Sequence, residues 1–361
     1  MKSKIKKTLK MTLSLFKKRK YTLLISKSEA LKALKSVNRE AKSAFTFFKR
    51  PQKSSKLIDQ LEEKWWNSTG DFIEDIWGLP DELCLAYRQE YVLRAKKSFL
   101  EDKENVKILD LGCGTGWFGR IIADKNVFYH GIDFSDKQIQ IAQQKAKGKQ
   151  NESFLRYTKT TNIKHIENIN DFDGIIINAF LHHLCKNELI ALFDEIKLNF
   201  KSGTKIFVME PTYPTNKVKS NITTIDHIKA DMVMNIISRV KKYSIENQNF
   251  DTEKEQKLQD LITESNENGF FFSPKEVPFT FEEIEELLSK YTQMKQYFHL
   301  GVNDFSFLQM LSFVKDENFR KGMLQEIFPI LKQIDEQLIE KSYYFNGTNN
   351  YIFTCFVCVL K

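Results

Sequence analysis

The chain has 361 residues, of which 42% are hydrophobic and 28% charged, and it contains 30 phenylalanines. This composition excludes an intrinsically disordered protein, and the length is sufficient for a complete α/β core with an additional helical region. The net charge of +8 is unevenly placed, because residues 1–56 hold 18 Lys and Arg against two acids, whereas the remainder has 37 basic and 45 acidic residues.

The N-terminal arm, residues 1–56, begins with a basic segment that has a helical apolar pattern. Nine Lys and Arg among the first twenty residues surround four apolar residues at helical spacing: Ile5, Leu9, Leu13 and Phe16. Two interpretations stay open for residues 1–24, a basic amphipathic helix on an anionic membrane surface and a solvated leader. The segment lacks the long apolar stretch and cleavage site of a signal peptide, and no run of eighteen apolar residues occurs in the chain.

The five cysteines are scattered and odd in number, which is typical of a reducing, cytoplasmic setting. Cys355 and Cys358 have the spacing of a metal or redox pair. They lie in the apolar run YIFTCFVCVL without a second pair, so a core strand is favoured and no metal site is predicted. We therefore expect a cytoplasmic protein, peripheral at the inner membrane surface if the basic arm binds lipid.

Residues 57–104 have a helical pattern. Apolar residues recur every three or four positions in 57–66 and again in 81–100, and aromatic residues are frequent between them. We expect a helical cap that packs against the sheet and reaches over a ligand pocket.

The segment from Val106 to Arg120 (VKILDLGCGTGWFGR) combines a predicted buried strand, a glycine-rich turn and the start of a helix. Three glycines alternate with other residues in the turn: Gly112, Gly114 and Gly116. This spacing lets a ligand lie against the main chain beside a helix N-terminus. Gly114-x-Gly116-x-x-Gly119, followed by Asp133, also fits a dinucleotide site. Asp110 favours another ligand, because its carboxylate faces a pyrophosphate badly but accepts hydrogen bonds from an ammonium group, directly or through water.

Apolar runs alternate with helical segments after this turn, which predicts a doubly wound parallel sheet. The predicted strands cover residues 127–132, 153–157, 171–178, 296–300 and 350–360, with a further strand at the end of 198–211. The second strand ends at Asp133, whose carboxylate can accept both hydroxyls of an adenosine ribose. Thr280 and Glu283 form the capping box of a predicted helix.

Three motifs of this chain occur in the order and spacing of a known family. They are the turn Asp110-Leu-Gly-Cys-Gly-Thr-Gly116, the Phe172-Asp173 pair that opens the fourth strand, and the Leu181-His-His-Leu184 turn that closes it. The chain resembles the class I S-adenosylmethionine-dependent methyltransferases of the small-molecule type across about 105–211, and more weakly to 301.

The resemblance implies a Rossmann-like, doubly wound, mostly parallel seven-stranded sheet with the last strand antiparallel, a helical N-terminal cap and helical insertions. The expected domain organisation is a basic arm at 1–56, a helical cap at 57–104 and a methyltransferase core at 105–301 with an insertion at 212–280. A second helical insertion at 302–345 and the final core strand at 346–361 follow.

The resemblance also implies S-adenosyl-L-methionine as the cofactor. The residues expected to bind it are Asp110, Gly112, Gly114, Gly116, Asp133, Asn162 and Asn178. In the family an acid commonly follows the third strand and holds the adenine amine. Here the matching stretch, residues 158–162, has no carboxylate, so we expect Asn162 or a backbone group to replace it.

Methyl transfer to a hydroxyl is helped by a base, and histidine suits this role near neutral pH. His182 and His183 follow the fourth strand, and we expect His183 to act because the family most often keeps a histidine there. The alternative is a histidine that orders the turn. Glu210, Tyr213, His227 and His299 are weaker candidates.

We therefore expect O-methylation of a small or lipid-linked acceptor. An NAD-dependent oxidoreductase, a nucleic-acid methyltransferase and a non-catalytic binding protein are the alternatives. A nucleic-acid target is disfavoured because residues 178–181 lack the Asn/Asp-Pro-Pro-aromatic loop that holds a flipped base, and because the body is acidic.

Overall fold

The computed structural model describes residues 50–76, 81–160, 162–213, 223–267, 273, 275–300, 303–340 and 352–361. Residues 1–49, with the predicted amphipathic helix, lie outside the described residues. Residues 50–361 form one compact unit. The short segment from Arg50 to Ser55, which the sequence assigned to the arm, therefore belongs to the folded unit.

One sheet forms the centre of the molecule. Its strands are β1 (Val106–Leu111), β2 (Val127–Asp133), β3 (Leu155–Lys159), β4 (Gly174–Asn178), β5 (Lys205–Tyr213), β6 (Phe279–Thr280), β7 (Thr292–His299) and β8 (Ile352–Leu360). The order is β3-β2-β1-β4-β5-β8-β7, with the two-residue β6 beside β5. Neighbouring strands from β3 to β5 are parallel, and β8 is antiparallel to both β5 and β7. The predicted mostly parallel, doubly wound sheet with an antiparallel last strand is confirmed.

The described helices connect and cover these strands. They are α1 (Lys56–Ile76), α2 (Asp81–Leu100), α3 (Trp117–Ile122), α4 (Asp136–Ala146), α5 (Lys186–Asn199), α6 (Thr224–Glu246), α7 (Thr252–Glu267), α8 (Phe281–Tyr291), α9 (Asn303–Leu311), α10 (Glu317–Glu326) and α11 (Phe328–Glu340). None of them is both long and apolar enough to span a bilayer.

Two apolar layers bury the faces of the sheet. The odd-numbered side chains of β1, Leu109 and Leu111, pack with α5 and α8 on one face. On the other face, Val106 and Ile108 pack with α2, α3 and α4, and this layer continues into α6, α7, α9 and α11 of the insertions. Successive strand residues point to opposite faces, so the continuous apolar runs predicted from the sequence fill both layers.

One predicted helix start is confirmed, and two predicted strand starts are wrong. The predicted capping box of α8 is present, since Glu283 N donates to Thr280 Oγ1 and Thr280 N donates to Glu283 Oε2. β3 begins two residues later than predicted because Glu152–Phe154 forms a 3₁₀ turn. β7 begins at Thr292, four residues earlier than predicted, directly after α8.

Candidate functional site

The candidate site lies at the carboxyl ends of the parallel strands, where the strand order reverses between β1 and β4. Loops diverge at such a point and leave a crevice for a ligand. The glycine turn after β1, the end of β2 and the turn after β4 all meet here.

The glycine turn exposes its main chain at one position. Its three glycines have positive φ angles of 72°, 53° and 71° for Gly112, Gly114 and Gly116. A Cβ at Gly112 would overlap the Phe180 ring, and one at Gly116 would overlap the Tyr157 ring. At Gly114, by contrast, the nearest atom to a Cβ would be Gln138 Oε1, 3.7 Å away. Gly114 is therefore where the turn leaves room for a ligand.

Asp133, at the end of β2, holds this turn through its carboxylate. Its Oδ2 accepts from Gly114 N at 3.0 Å, and its Oδ1 accepts from Ser135 N at 2.9 Å. Burial raises the pKa of Asp133, while the backbone donors oppose that effect. A carboxylate has about four acceptor positions, so two hydrogen bonds leave capacity for hydroxyl donors.

Asp110 lies beneath the turn and is 1% exposed. Tyr129 Oη donates to its Oδ2 at 2.5 Å, and its Oδ1 is buried without a partner. Burial raises the pKa of Asp110 to about 8, and the Tyr129 donor only partly offsets this. The sequence suggested an acceptor for a ligand ammonium, whereas the structure shows that a phenol already occupies one of the two oxygens.

Two amide side chains on neighbouring elements have unpartnered atoms. Asn178 Oδ1 at the end of β4 and Gln138 Nε2 at the start of α4 are buried and lack hydrogen bonds. Asn162 differs, since its Oδ1 caps a 3₁₀ turn by accepting from Lys164 N at 2.9 Å. The amide nitrogen and one lone pair of the oxygen are left for the predicted adenine contact through Asn162.

His182 is a structural member of the turn after β4. Ala179 adopts a left-handed conformation with φ 52°, which reverses the chain above Glu210. Glu210 then accepts from the amides of Phe180 and Leu181 and lies 2.7 Å from His182 Nδ1. Burial lowers the pKa of His182 well below its usual value and raises that of Glu210 to about 7. Glu210, a weaker catalytic candidate, anchors the turn.

His183 faces a different partner. Its Nδ1 lies 3.0 Å from Glu62 Oε1 of α1 and 3.2 Å from Ser273 Oγ. Trp66 packs edge-on against the imidazole with ring centroids 5.5 Å apart. Burial lowers the pKa of His183, but the hydrogen bond and charge of Glu62, together with the charges of Glu276 and Glu210, raise it above its usual value.

Glu62 joins three segments of the chain. Besides His183, its Oε1 accepts from Trp66 Nε1 at 2.7 Å and from Ser273 Oγ at 3.0 Å, and its Oε2 accepts from Lys275 N at 2.8 Å. Burial raises the pKa of Glu62, but the partners, His183 first, lower it on balance. The predicted helical cap thus contributes a charged group to the site.

Two more charged side chains enclose the turn. Glu276 Oε1 lies 3.8 Å from His182 Nε2, and burial raises the pKa of Glu276 to about 7. The Arg50 guanidinium donates to the carbonyls of Leu184 and Val277 and stacks on the Phe279 ring at 3.8 Å.

Sequence reasoning did not identify several of these residues, namely Arg50, Glu62, Gln138, Ser273 and Glu276. Each lies outside the family motifs, and a single sequence does not show that a polar residue on an amphipathic helix or in an insertion turns inward. Of these residues, only Gln138 has a local sequence pattern that indicates its position, because Ser135-x-x-Gln138 has the spacing of a capping box at a helix start.

The remaining candidates are Tyr213, His227 and His299. Tyr213 ends β5, and burial raises its pKa to about 12. His227 is exposed on α6, and His299 bonds Thr354 Oγ1 through Nδ1 at 2.9 Å. Within the described part of the chain, no group of three or more His, Cys, Asp or Glu side chains has a metal-binding arrangement.

Comparisons with known proteins agree with this location. The model of the methyltransferase-domain family matches residues 109–206, which include the glycine turn, Asp133 and His183. Ubiquinone biosynthesis O-methyltransferase of Rickettsia typhi is 27% identical over 150 residues, 41% of this chain and 57% of that protein. Sterol 24-C-methyltransferase of Clavispora lusitaniae is 26% identical over 215 residues, 56% of this chain and 57% of that protein.

The chain thus spans a little over half the length of these curated relatives. Among solved structures, magnesium protoporphyrin IX methyltransferase of Synechocystis PCC 6803 with bound S-adenosylhomocysteine aligns at 13% identity and a TM-score of 0.46. That alignment covers 84% of this chain and all of the other.

Proposed function

We propose that the chain is a class I S-adenosylmethionine-dependent methyltransferase that methylates a hydroxyl oxygen of a small or lipid-like acceptor. The match of residues 109–206 to the methyltransferase-domain family supports the first part of this proposal. The observation that carries the proposal is the contact of His183 Nδ1 with Glu62 at the carboxyl edge of β4. A histidine held by a carboxylate is suited to take a proton from a hydroxyl.

The residues at the switch point fit S-adenosylmethionine. Buried polar atoms are seldom left without partners, and three such atoms belong to elements that end or begin at the switch point: Asp110 Oδ1 of β1, Gln138 Nε2 of α4 and Asn178 Oδ1 of β4. The positive charge of the bound cofactor would favour the ionised form of Asp110, so that Asp110 Oδ1 and Asn178 Oδ1 would accept from the ammonium group. The amide nitrogen of Gln138 would donate to one of the oxygens of the cofactor. The open main chain at Gly114 gives the cofactor access to the turn.

The nucleoside end would be held by the tips of β2 and β3. Asp133 retains acceptor positions for ribose hydroxyls, and the amide nitrogen of Asn162 would face the adenine. When bound, S-adenosylmethionine supplies a methyl group that is already activated by the sulfonium. The protein then has to align the acceptor oxygen, exclude water and remove one proton.

His183 is proposed as the group that removes this proton. Its bond to the Glu62 carboxylate selects the tautomer with the proton on Nδ1, which leaves Nε2 as the basic nitrogen. As the acceptor oxygen gains the methyl group, its proton passes to Nε2, and the Glu62 charge stabilises the resulting imidazolium. Glu62 is thus a positioning residue, and His183 is the proposed catalytic residue.

A lipid-like acceptor fits both the curated relatives and the basic arm. The names of the Rickettsia typhi and Clavispora lusitaniae proteins specify a quinone pathway and a sterol. Residues 1–24 of this chain combine nine basic residues with apolar ones, a pattern that binds anionic lipid surfaces. We propose that this segment brings the enzyme to a membrane from which the acceptor is taken.

The direct test is to identify the product. The protein is incubated with methyl-labelled S-adenosylmethionine and, separately, with aqueous and lipid extracts of cells, and each labelled product is analysed by NMR. The proposal expects an O-methyl ether or ester from the lipid extract. A labelled methyl group on nitrogen or carbon would contradict the hydroxyl acceptor and the base role of His183.

A further inference from the structure

Two tyrosines from neighbouring strands lie directly beneath the glycine turn. Tyr129 of β2 and Tyr157 of β3 are 0% and 8% exposed, and their rings meet edge to face with centroids 5.9 Å apart. Tyr157 Oη donates to the carbonyl of Gly116 at 3.0 Å, and Tyr129 Oη donates to Asp110 Oδ2 at 2.5 Å. One hydroxyl thus holds the end of the turn and the other holds the acid at its start.

The absence of side chains at two glycines accommodates these rings. A Cβ at Gly116 would overlap Tyr157, and a Cβ at Gly119 would overlap Tyr129. These two glycines therefore make room for the tyrosines, whereas Gly114 is open toward the crevice. The pattern Gly-x-Gly-x-x-Gly, which the sequence associated with ligand approach, has a packing role at two of its three positions.

The two halves of the turn are held in different ways. In the first half, the amides of Gly112 and Cys113 both donate to Ile132 O at 2.9 Å, and Gly114 N donates to Asp133. In the second half, the Gly116 carbonyl accepts from Tyr157 Oη and, at 3.2 Å, from Arg120 N of α3. Tyr157 is thus a side-chain tether that links this half to the sheet.

We infer that Tyr129 and Tyr157 are positioning residues that fix the glycine turn in the conformation that binds the cofactor. This inference rests on the proposed S-adenosylmethionine site. A turn that is already ordered loses less conformational freedom on binding, so the tethers raise affinity without touching the ligand. The remaining bond from Arg120 N keeps the turn formed if the Tyr157 hydroxyl is removed.

The test compares three Tyr→Phe variants of the full chain, each of which keeps its ring and loses one hydroxyl. Tyr157→Phe and Tyr129→Phe remove the tethers. Tyr291→Phe is the matched control, because Tyr291 bonds Asp194 and packs on the other face of the sheet. Calorimetry gives the Kd for S-adenosylhomocysteine, and thermal unfolding gives Tm for each variant.

Loss of one hydrogen bond predicts Kd values about threefold to tenfold higher for Tyr157→Phe and Tyr129→Phe. The Kd of Tyr291→Phe should equal that of the parent, even if its Tm falls by as much as the Tm of the other two variants. A purely structural role would lower Tm in all three variants and leave Kd unchanged, and this result would overturn the inference. Failure of the parent itself to bind S-adenosylhomocysteine would instead refute the proposed cofactor.

Gly119→Ala provides a second test. Gly119 lies in α3 with an ordinary helical backbone, so an added methyl group disturbs Tyr129 without backbone strain. The inference expects cofactor affinity to fall at least as far as in Tyr129→Phe. Gly322→Ala is the control, because a Cβ at Gly322 meets nothing within 4 Å, and its affinity for the cofactor should equal that of the parent. Equal affinity of the Gly119 variant and the parent would count against the tyrosine tethers.

Discussion

His183 and Glu62, which lie far apart in the chain, are joined by a 3.0 Å contact between Nδ1 and Oε1. The contact links the turn after β4 to helix α1, and it raises the pKa of the histidine against the effect of burial. Both the rate of the proposed reaction and its pH dependence should therefore depend on this pair.

Removing the imidazole should lower turnover without affecting the cofactor. His183→Ala is expected to reduce kcat by roughly 10²–10⁴, the usual contribution of a general base. The Kd for S-adenosylhomocysteine should stay within twofold of the parent value. His227→Ala, at an exposed histidine of α6, is the control, and full turnover in His183→Ala would transfer the base role to another group.

The activity should increase with pH through a value above 6.5, the ordinary pKa of histidine. His183 accepts a proton only when neutral, and its raised pKa extends the protonated range upward. In Glu62→Gln the stabilising charge is lost, so the inflection of kcat/KM should move to lower pH. Glu63→Gln is the control, because Glu63 is the next residue of α1 and is exposed, and it should leave the pH profile unchanged. If the inflection did not move in Glu62→Gln, the pairing of His183 with Glu62 would be excluded.

Gly114→Val should block cofactor binding while the chain stays folded. The branched side chain would project into the open side of the turn, where Gln138 Oε1 is 3.7 Å from the Cβ position. Gly148→Val controls for backbone strain, because Gly148 also has a positive φ, 75°, with nothing within 4 Å. Calorimetry with S-adenosylmethionine should detect no binding by the first variant and normal binding by the second. Parent-like affinity in Gly114→Val would mean that the site is elsewhere.

Asp110 should make stability depend on pH. Its pKa is raised to about 8 in the folded state, compared with about 4 in the unfolded state. The stabilisation that comes from the protonated carboxyl is therefore complete below about pH 4 and is lost as pH rises toward 8. Asp110→Asn removes this titration. Because the parent loses this stabilisation as pH rises and the variant does not, the free energy of unfolding of Asp110→Asn minus that of the parent should increase with pH. The increase should be up to about 1.4 kcal/mol per pH unit between pH 5 and 8. Urea unfolding at several pH values measures this difference, and Asp231→Asn at an exposed carboxylate should show no such trend.

Deleting residues 1–24 tests the membrane proposal. Each basic residue near an anionic surface contributes on the order of 1 kcal/mol, and salt screens much of it. The full chain should co-sediment with phosphatidylserine-containing vesicles at low salt and be released at high salt, whereas the shortened chain should stay in solution. S-adenosylmethionine binding should be equal in both. Equal sedimentation of the two proteins would leave the arm as a solvated leader.

The sequence identified what depends on local pattern. Apolar runs located the buried strands, and the capping box of Thr280 and Glu283 located the start of α8. The glycine turn, Asp133 and His183 followed from motifs of contiguous residues. Glu62, Ser273 and Glu276 could not be found in this way, because their positions depend on long-range packing of α1 and the insertion against the turn after β4. Asn162, which was expected to replace the acid missing after the third strand, also caps a 3₁₀ turn through its side-chain oxygen, and the sequence did not indicate this cap.

Glu62 and Ser273 contact His183 but lie outside residues 109–206, the part that matches the methyltransferase domain. The histidine therefore lies in the part of the chain that matches the domain family, while the charges that raise its pKa come from segments on either side of that part. A protein that kept the core and exchanged these segments would retain the same imidazole at a different acidity. Under the proposed reaction, such an exchange would match the base to hydroxyl acceptors of different acidity, from phenols to alcohols, without a change in the domain core.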